Sequence, residues 1–178
     1  MIAFLLMALA LHPFAGQKNQ PAKQWRPAEL RGLIIGKSRR ADMLRRLGQP
    51  KWTRSHDSGE KDDERQTFSH YETGGDFAGS LTVVLNKNGL IERIDFFPAK
   101  LSRDEAVSRY GANYSVTRYA VEPCGDEDEE ALYESANGPL TYVEYRSRGI
   151  ALALGAQNMV TKISYVARPI GHPQSTCK

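Results

Sequence analysis

Cysteine is the first scarcity. Only Cys124 and Cys177 occur in 178 residues, and neither sits in a C-x-x-C motif. That excludes a dense disulfide framework and gives no footing to cysteine-based metal or redox chemistry. A long hydrophobic run is missing as well. The most apolar stretch is Ile2 to Leu11, only about half of the roughly 20 residues a spanning helix takes. No single sign of charge dominates. The net charge is +3, and outside Arg39–Arg46 basic and acidic residues alternate nearly everywhere. A nucleic-acid footprint would gather Lys and Arg on one face, so neither nucleic acid nor a stable membrane span is expected.

Catalytic constellations are equally sparse. Of the four histidines, His12 lies in the apolar start and His172 in the terminal "IGHPQSTCK". His56 belongs to the charged "SHDSGEKDDERQ" and His70 to a strand candidate. His56-Asp57 is an adjacent pair with no nucleophile motif beside it. Neither Ser55 nor Ser69 lies in a G-x-S-x-G turn. "GGDFAG" reads as a connection and not as a phosphate cradle. The acidic run Asp126–Glu130 lacks the alternating ligands and internal Gly of a calcium loop. The expectation is a chain without catalytic residues, metal ligands or cofactor, and therefore not an enzyme.

Hydrophobic residues make up 40% and charged residues 25% of the chain, the balance of an ordinary globular protein. Residues 1–16 have the apolar core of a secretory signal, with Pro13 as a breaker and Ala15-Gly16 as a small pair. Against that reading stand the absence of Lys or Arg before the run and the position of Pro13. The alternative is a short buried helix. Export predicts a periplasmic or secreted protein, and no Cys near the expected cleavage point would accept a lipid. Residues 17–30, polar and Pro-containing, read as a flexible lead-in. In an exported protein Cys124 and Cys177 would form a disulfide tying the tail at 169–178 to an internal loop; otherwise they are two thiols.

The strongest local signal is "LTVVLNKNGLIERIDFF" at 81–97. Leu81, Val83 and Leu85 alternate with Thr82, Val84 and Asn86, the period of a strand with one buried face. Asn88-Gly89 supplies a tight turn. In the return strand Glu92, Ile94 and Phe96 share one face, and Ile91, Arg93, Asp95 and Phe97 the other. A shift of 69 positions places this pattern on "IALALGAQNMVTKISY" at 150–165, with Asn158 at the turn. Helical patterns precede both hairpins. "SRRADMLRRLGQP" has Ser38 as N-cap, and Gly48 and Pro50 as stops. "SRDEAVSRYGANY" has Ser102 and Glu105 as a capping box and Gly111 as a stop. Strand candidates "TFSHYET" and "LTYVEYRS" lie between. The predicted fold is α+β: two helix-plus-antiparallel-strand repeats, 31–98 and 99–168, forming one antiparallel sheet with helices on one face.

"LRGLIIGKSRRADMLRRLGQPKW" and the hairpin at 81–97 resemble the SmpA/OmlA (BamE-like) domain. There, a Ser/Thr-capped short helix ends in Leu-Gly-x-Pro, and a hairpin closes the unit. Two such units in tandem are similar to the β-lactamase-inhibitor-protein fold. The resemblance covers 31–97 and, more loosely, 101–167. It implies a non-catalytic interaction module of the envelope or extracellular space, either an assembly factor or an inhibitor-like binder, with another protein as partner. This chain departs from the lipoprotein members by lacking the lipid-acceptor Cys. The partner surface would be the sheet face opposite the helices, carrying Thr82, Val84, Arg93, Asp95, Phe97 and Lys162. The rival expectation is an enzyme or accessory factor acting on envelope components, with His70 or the acidic loop contributing.

Overall fold

A computed structural model describes residues 26–56, 65–119, 140–168 and 170. The signal-like start, His12, Cys124, the run Asp126–Glu130, His172 and Cys177 lie outside the described residues, and so does the expected disulfide.

The chain enters the fold earlier than its composition predicts. Strands β1 (Glu29–Leu30) and β2 (Leu33–Ile34) pair as a small sheet. Ala28, Leu30, Leu33 and Ile35 are buried in the core, so the polar lead-in ends before residue 28. Helix α1 (Arg40–Leu47) has Arg39 at its N-cap position, not Ser38 as expected. The Ser38 hydroxyl instead accepts the Ile34 amide at 2.9 Å, and Asp42 Oδ2 accepts the Arg39 amide at 2.9 Å.

Strands β3 (Trp52–His56), β4 (Gln66–Thr73), β5 (Gly79–Leu85) and β6 (Ile91–Pro98) follow. Then come α2 (Arg103–Tyr110), β7 (Ser115–Tyr119), β8 (Leu140–Tyr145), β9 (Ile150–Leu154) and β10 (Val160–Val166). β3 to β10 form one antiparallel eight-stranded sheet in the order β3-β4-β5-β6-β10-β9-β8-β7. β6 and β10 meet at its centre, and β3 and β7 are its edges.

This architecture corrects the predicted fold class. Among the described residues the molecule is mostly β: an eight-stranded sheet, a two-stranded sheet and two helices of eight residues each. It is not an α+β assembly of helix-plus-three-strand repeats. Two physical causes explain the miss. The helical runs stop after two turns at Gly48 and Gly111, both with positive φ. The short segments after them are also strands, because each pairs along five residues with β4 or β8.

Met43 of α1 and Ala106 of α2 join Leu81, Val83, Leu85, Ile94, Val143, Leu152 and Ile163 in one buried cluster. Both helices thus cover the same sheet face. Tyr71 and Tyr145 each donate a hydroxyl hydrogen bond to the carbonyl at a helix end, Gly48 at 3.4 Å and Gly111 at 2.7 Å. Both carbonyls would otherwise lack an intrahelical partner.

The hairpin at 81–97 has a detail that alternation alone misassigns. Its turn closes with Asn86 Oδ1 accepting the Asn88 and Leu90 amides at 3.0 and 3.1 Å, while Gly89 takes the left-handed conformation. A bulge follows, with Val84 opposite Arg93 but Leu85 opposite Ile91. One extra residue shifts the alternation. Ile91, expected on the outer face, is therefore in the core. Glu92, expected with Ile94, instead accepts the Gln66 side-chain amide at 3.5 Å.

Candidate interaction surface

The face turned away from the helices is ordered by strand register. One row crosses all eight strands: Trp52, His70, Thr82, Asp95, Ser164, Ala151, Glu144 and Ser115. A second row runs Arg54, Phe68, Val84, Arg93 and Val166. Side chains on one face recur every two residues, so Phe97 and Lys162 stand one step along from Asp95 and Ser164.

The six residues expected on this face therefore lie together, on adjacent strands β5, β6 and β10. They differ in what they offer a partner. Val84 is 1% exposed and Asp95 7%, so neither presents a contact surface. Thr82 is half-buried, its hydroxyl 3.4 Å from His70 Nδ1. Arg93 Nε donates to Asp95 Oδ2 at 2.9 Å, and Ser164 Oγ donates to Asp95 Oδ1 at 2.6 Å. These bonds supply the partners that a buried carboxylate needs. Lys162 is half-buried, whereas Phe97 is 40% exposed.

The two halves of the face are finished differently. Over β8 and β9, Ile170 packs on Tyr142, Ala151 and Ala153, so the chain covers that part itself. Glu144 is closed off beside them, accepting from Arg146 Nε at 2.8 Å and from the Thr117 hydroxyl at 2.9 Å.

Over β3 to β6 the face reaches solvent. Trp52 is 42% exposed, stacked flat on the His70 ring with centroids 4.9 Å apart and planes 9° from parallel. The Arg54 guanidinium lies 5.5 Å over the indole. Trp52, Arg54, Ser55, His56 and Phe68 line a shallow cavity of about 250 Å³. At the rim Lys51 pairs with Glu72, and that hydrogen bond holds the Glu72 carboxyl below its ordinary range.

Sequence reasoning named Phe97, Arg93 and Lys162 for this surface but missed Trp52, Arg54 and Phe68. The signal was present in "KWTRSH", where Trp52, Arg54 and His56 alternate with Thr53 and Ser55. Five residues beside a helix stop read too easily as a loop. His70, considered as a catalytic group, here supports Trp52 as a stacking platform. Among the described residues no three His, Cys, Asp or Glu side chains are grouped to hold a metal ion. No helix of the described residues is long and apolar enough to cross a membrane.

Comparison with known proteins yields a structural likeness. No family model matches the chain, and no curated protein matches it. Among solved structures, a DUF4309 family protein (YjgB) from Bacillus subtilis subsp. subtilis str. 168 is similar at 15% identity, with a TM-score of 0.47. The match covers 82% of this chain and 89% of that one.

Proposed function

We propose that this chain is a non-enzymatic, exported protein-binding module that uses the solvent-reaching part of the sheet face over β3 to β6 and the adjoining β10. One observation carries the reading. Trp52 and Phe97 are both held at least 40% exposed on the same face, among Arg54, Arg93 and Lys162. Aromatic and Arg side chains on a rigid sheet are what protein interfaces favour, because they bury large area at little entropic cost. The indole is held at the surface, on an edge strand, by its stacking on His70. The SmpA/OmlA-like motifs and the apolar start support an envelope or extracellular setting. Under this reading Thr82, Arg93, Phe97 and Lys162 act with Trp52 and Arg54, while Val84 and Asp95 brace them from below.

The test is crosslinking capture by the mature protein from an envelope extract, compared with a Trp52→Ser/Phe97→Ser variant of unchanged circular dichroism. The expected outcome is a stoichiometric protein partner that the variant loses. Equal retention by both forms, or none by either, would refute the reading.

A further inference from the structure

The helix-covered side of the sheet has a cleft that the interaction face does not explain. Its volume is about 740 Å³, within the range of small-molecule sites, roughly 300–1,000 Å³. Three segments wall it: Arg26–Glu29, the end of α2 from Tyr110 to Asn113, and the β8–β9 hairpin with Tyr145, Ser147 and Arg148. The Arg26 amide donates to the Ser147 carbonyl at 3.4 Å, joining the first wall to the third.

Arg148 is the group that gives the cleft chemistry. Its Nη1 donates to the Tyr110 carbonyl at 2.7 Å. Its guanidinium lies 5.8 Å from the Tyr110 ring and 5.6 Å from the Tyr145 ring. One anchored donor and two aromatic neighbours orient the fork, and among the described residues most of its N–H groups have no acceptor. Arg148 is exposed, and so is Arg26 on the facing wall. Among the described residues neither forms an ion pair, and Glu29 is the single acidic residue lining the cleft. The cleft is therefore net cationic, with an aromatic wall.

We infer that this cleft binds a small oxyanion on a planar body, a carboxylate or phosphate attached to an aromatic ring. Arg148 takes the anion with its planar fork, as guanidinium matches both groups bidentately. Arg26 closes from the other side, and the half-buried Tyr110 ring lies along the aromatic body. Because Arg148 is already oriented by Tyr110, little side-chain freedom is lost on binding. The site lies across the sheet from the interaction face and stands or falls independently of it.

The experiment is an amide NMR titration of the full chain with benzoate, phenyl phosphate, inorganic phosphate and benzyl alcohol. Benzoate or phenyl phosphate should shift the amides of Gly111, Ala112, Asn113 and Ser147 saturably. Inorganic phosphate and benzyl alcohol should bind at least about tenfold more weakly, since each lacks half of the recognised chemistry. Arg148→Lys keeps the charge but loses the fork, and should weaken binding about tenfold or more. Arg26→Gln, on the opposite wall, should weaken it as well, and Lys37→Gln, at an exposed position outside the cleft, should leave it unchanged. The inference is overturned if neither aromatic anion shifts those amides saturably, or if inorganic phosphate binds as tightly. Wild-type affinity in both Arg148→Lys and Arg26→Gln would also overturn it.

Discussion

At the scale of single residues, the buried carboxylates decide what the outer sheet face can tolerate. Asp95 sits at the central β6–β10 pair, and Ser164 donates to it from the neighbouring strand at 2.6 Å. Taking away that donor leaves an oxygen of a buried anion short of a partner, which costs more than losing an exposed bond. Ser164→Ala should lower stability by about 1.5–3 kcal/mol, measured by urea unfolding at neutral pH. A loss below about 0.5 kcal/mol would mean that water replaces the hydroxyl. Glu144, whose side chain is closed to solvent, poses the same problem with a cation as its partner. Arg146→Met should cost about 3 kcal/mol, because a buried carboxylate loses the guanidinium that faces it. The alternation in 81–97 put Asp95 on the outer face correctly, but only the pairing of β6 with β10 explains how an acid is held there. That pairing joins positions 69 apart in the chain, a distance over which local pattern carries no information.

At the scale of elements, the two helices differ in how they start. Ser102 and Glu105 form the capping box legible in the sequence: Glu105 Oε2 accepts the Ser102 amide at 2.8 Å, and Ser102 Oγ accepts the Glu105 amide at 3.3 Å. Ser102→Ala should destabilise the protein by about 1 kcal/mol, read from thermal or urea unfolding. α1 relies on Asp42 accepting the Arg39 amide, since Ser38 is spent on the preceding turn. Those amide hydrogen bonds pull the carboxyls of Glu105 and Asp42 below their ordinary values of 4.5 and 3.8. A depressed folded value means that the contribution is complete above the unfolded value and is lost as pH falls through the folded one. Stability should therefore decline below about pH 4.5, with a smaller decline in Glu105→Gln, which still accepts the amide but does not titrate. An equal acid slope in both proteins would assign the loss to other carboxylates.

At the scale of the whole molecule, a tyrosine layer joins the helices to the sheet. Tyr110 on α2 meets Tyr165 on β10, hydroxyl to hydroxyl at 2.5 Å, and packs beside Tyr145 on β8. Burial raises the phenols of Tyr71, Tyr110, Tyr145 and Tyr165 above their ordinary value of 10, and Tyr165 most strongly. For a group whose folded value is raised, the contribution is complete below the unfolded value and is lost as pH rises. The fold should therefore lose stability progressively above about pH 10, and tyrosinate absorbance should appear together with loss of the sheet signal. Tyr165→Phe should reduce that alkaline slope. Independent titration of all tyrosines in an intact fold would refute this.

The division between chain and fold follows from the range of the forces involved. Turn position, helix stops, the α2 cap and the inward face of β5 depend on neighbours within a few positions, so the sequence by itself determined them: Gly89 of the Asn88-Gly89 turn, Gly48 and Gly111, Ser102 with Glu105, Leu81 with Val83 and Leu85. The dominance of strand over helix was decided elsewhere. β3 and β7 are five residues each, too short for alternation alone to decide, and exist because β4 and β8 offer them a ladder. Solvent reach was also a tertiary decision. Trp52 stays outside because β3 is an edge and His70 supports the ring, whereas Ala151 and Ala153 on the same face are closed off beneath Ile170. Burial is a property of everything packed around a residue, and only the assembled sheet brings those neighbours together.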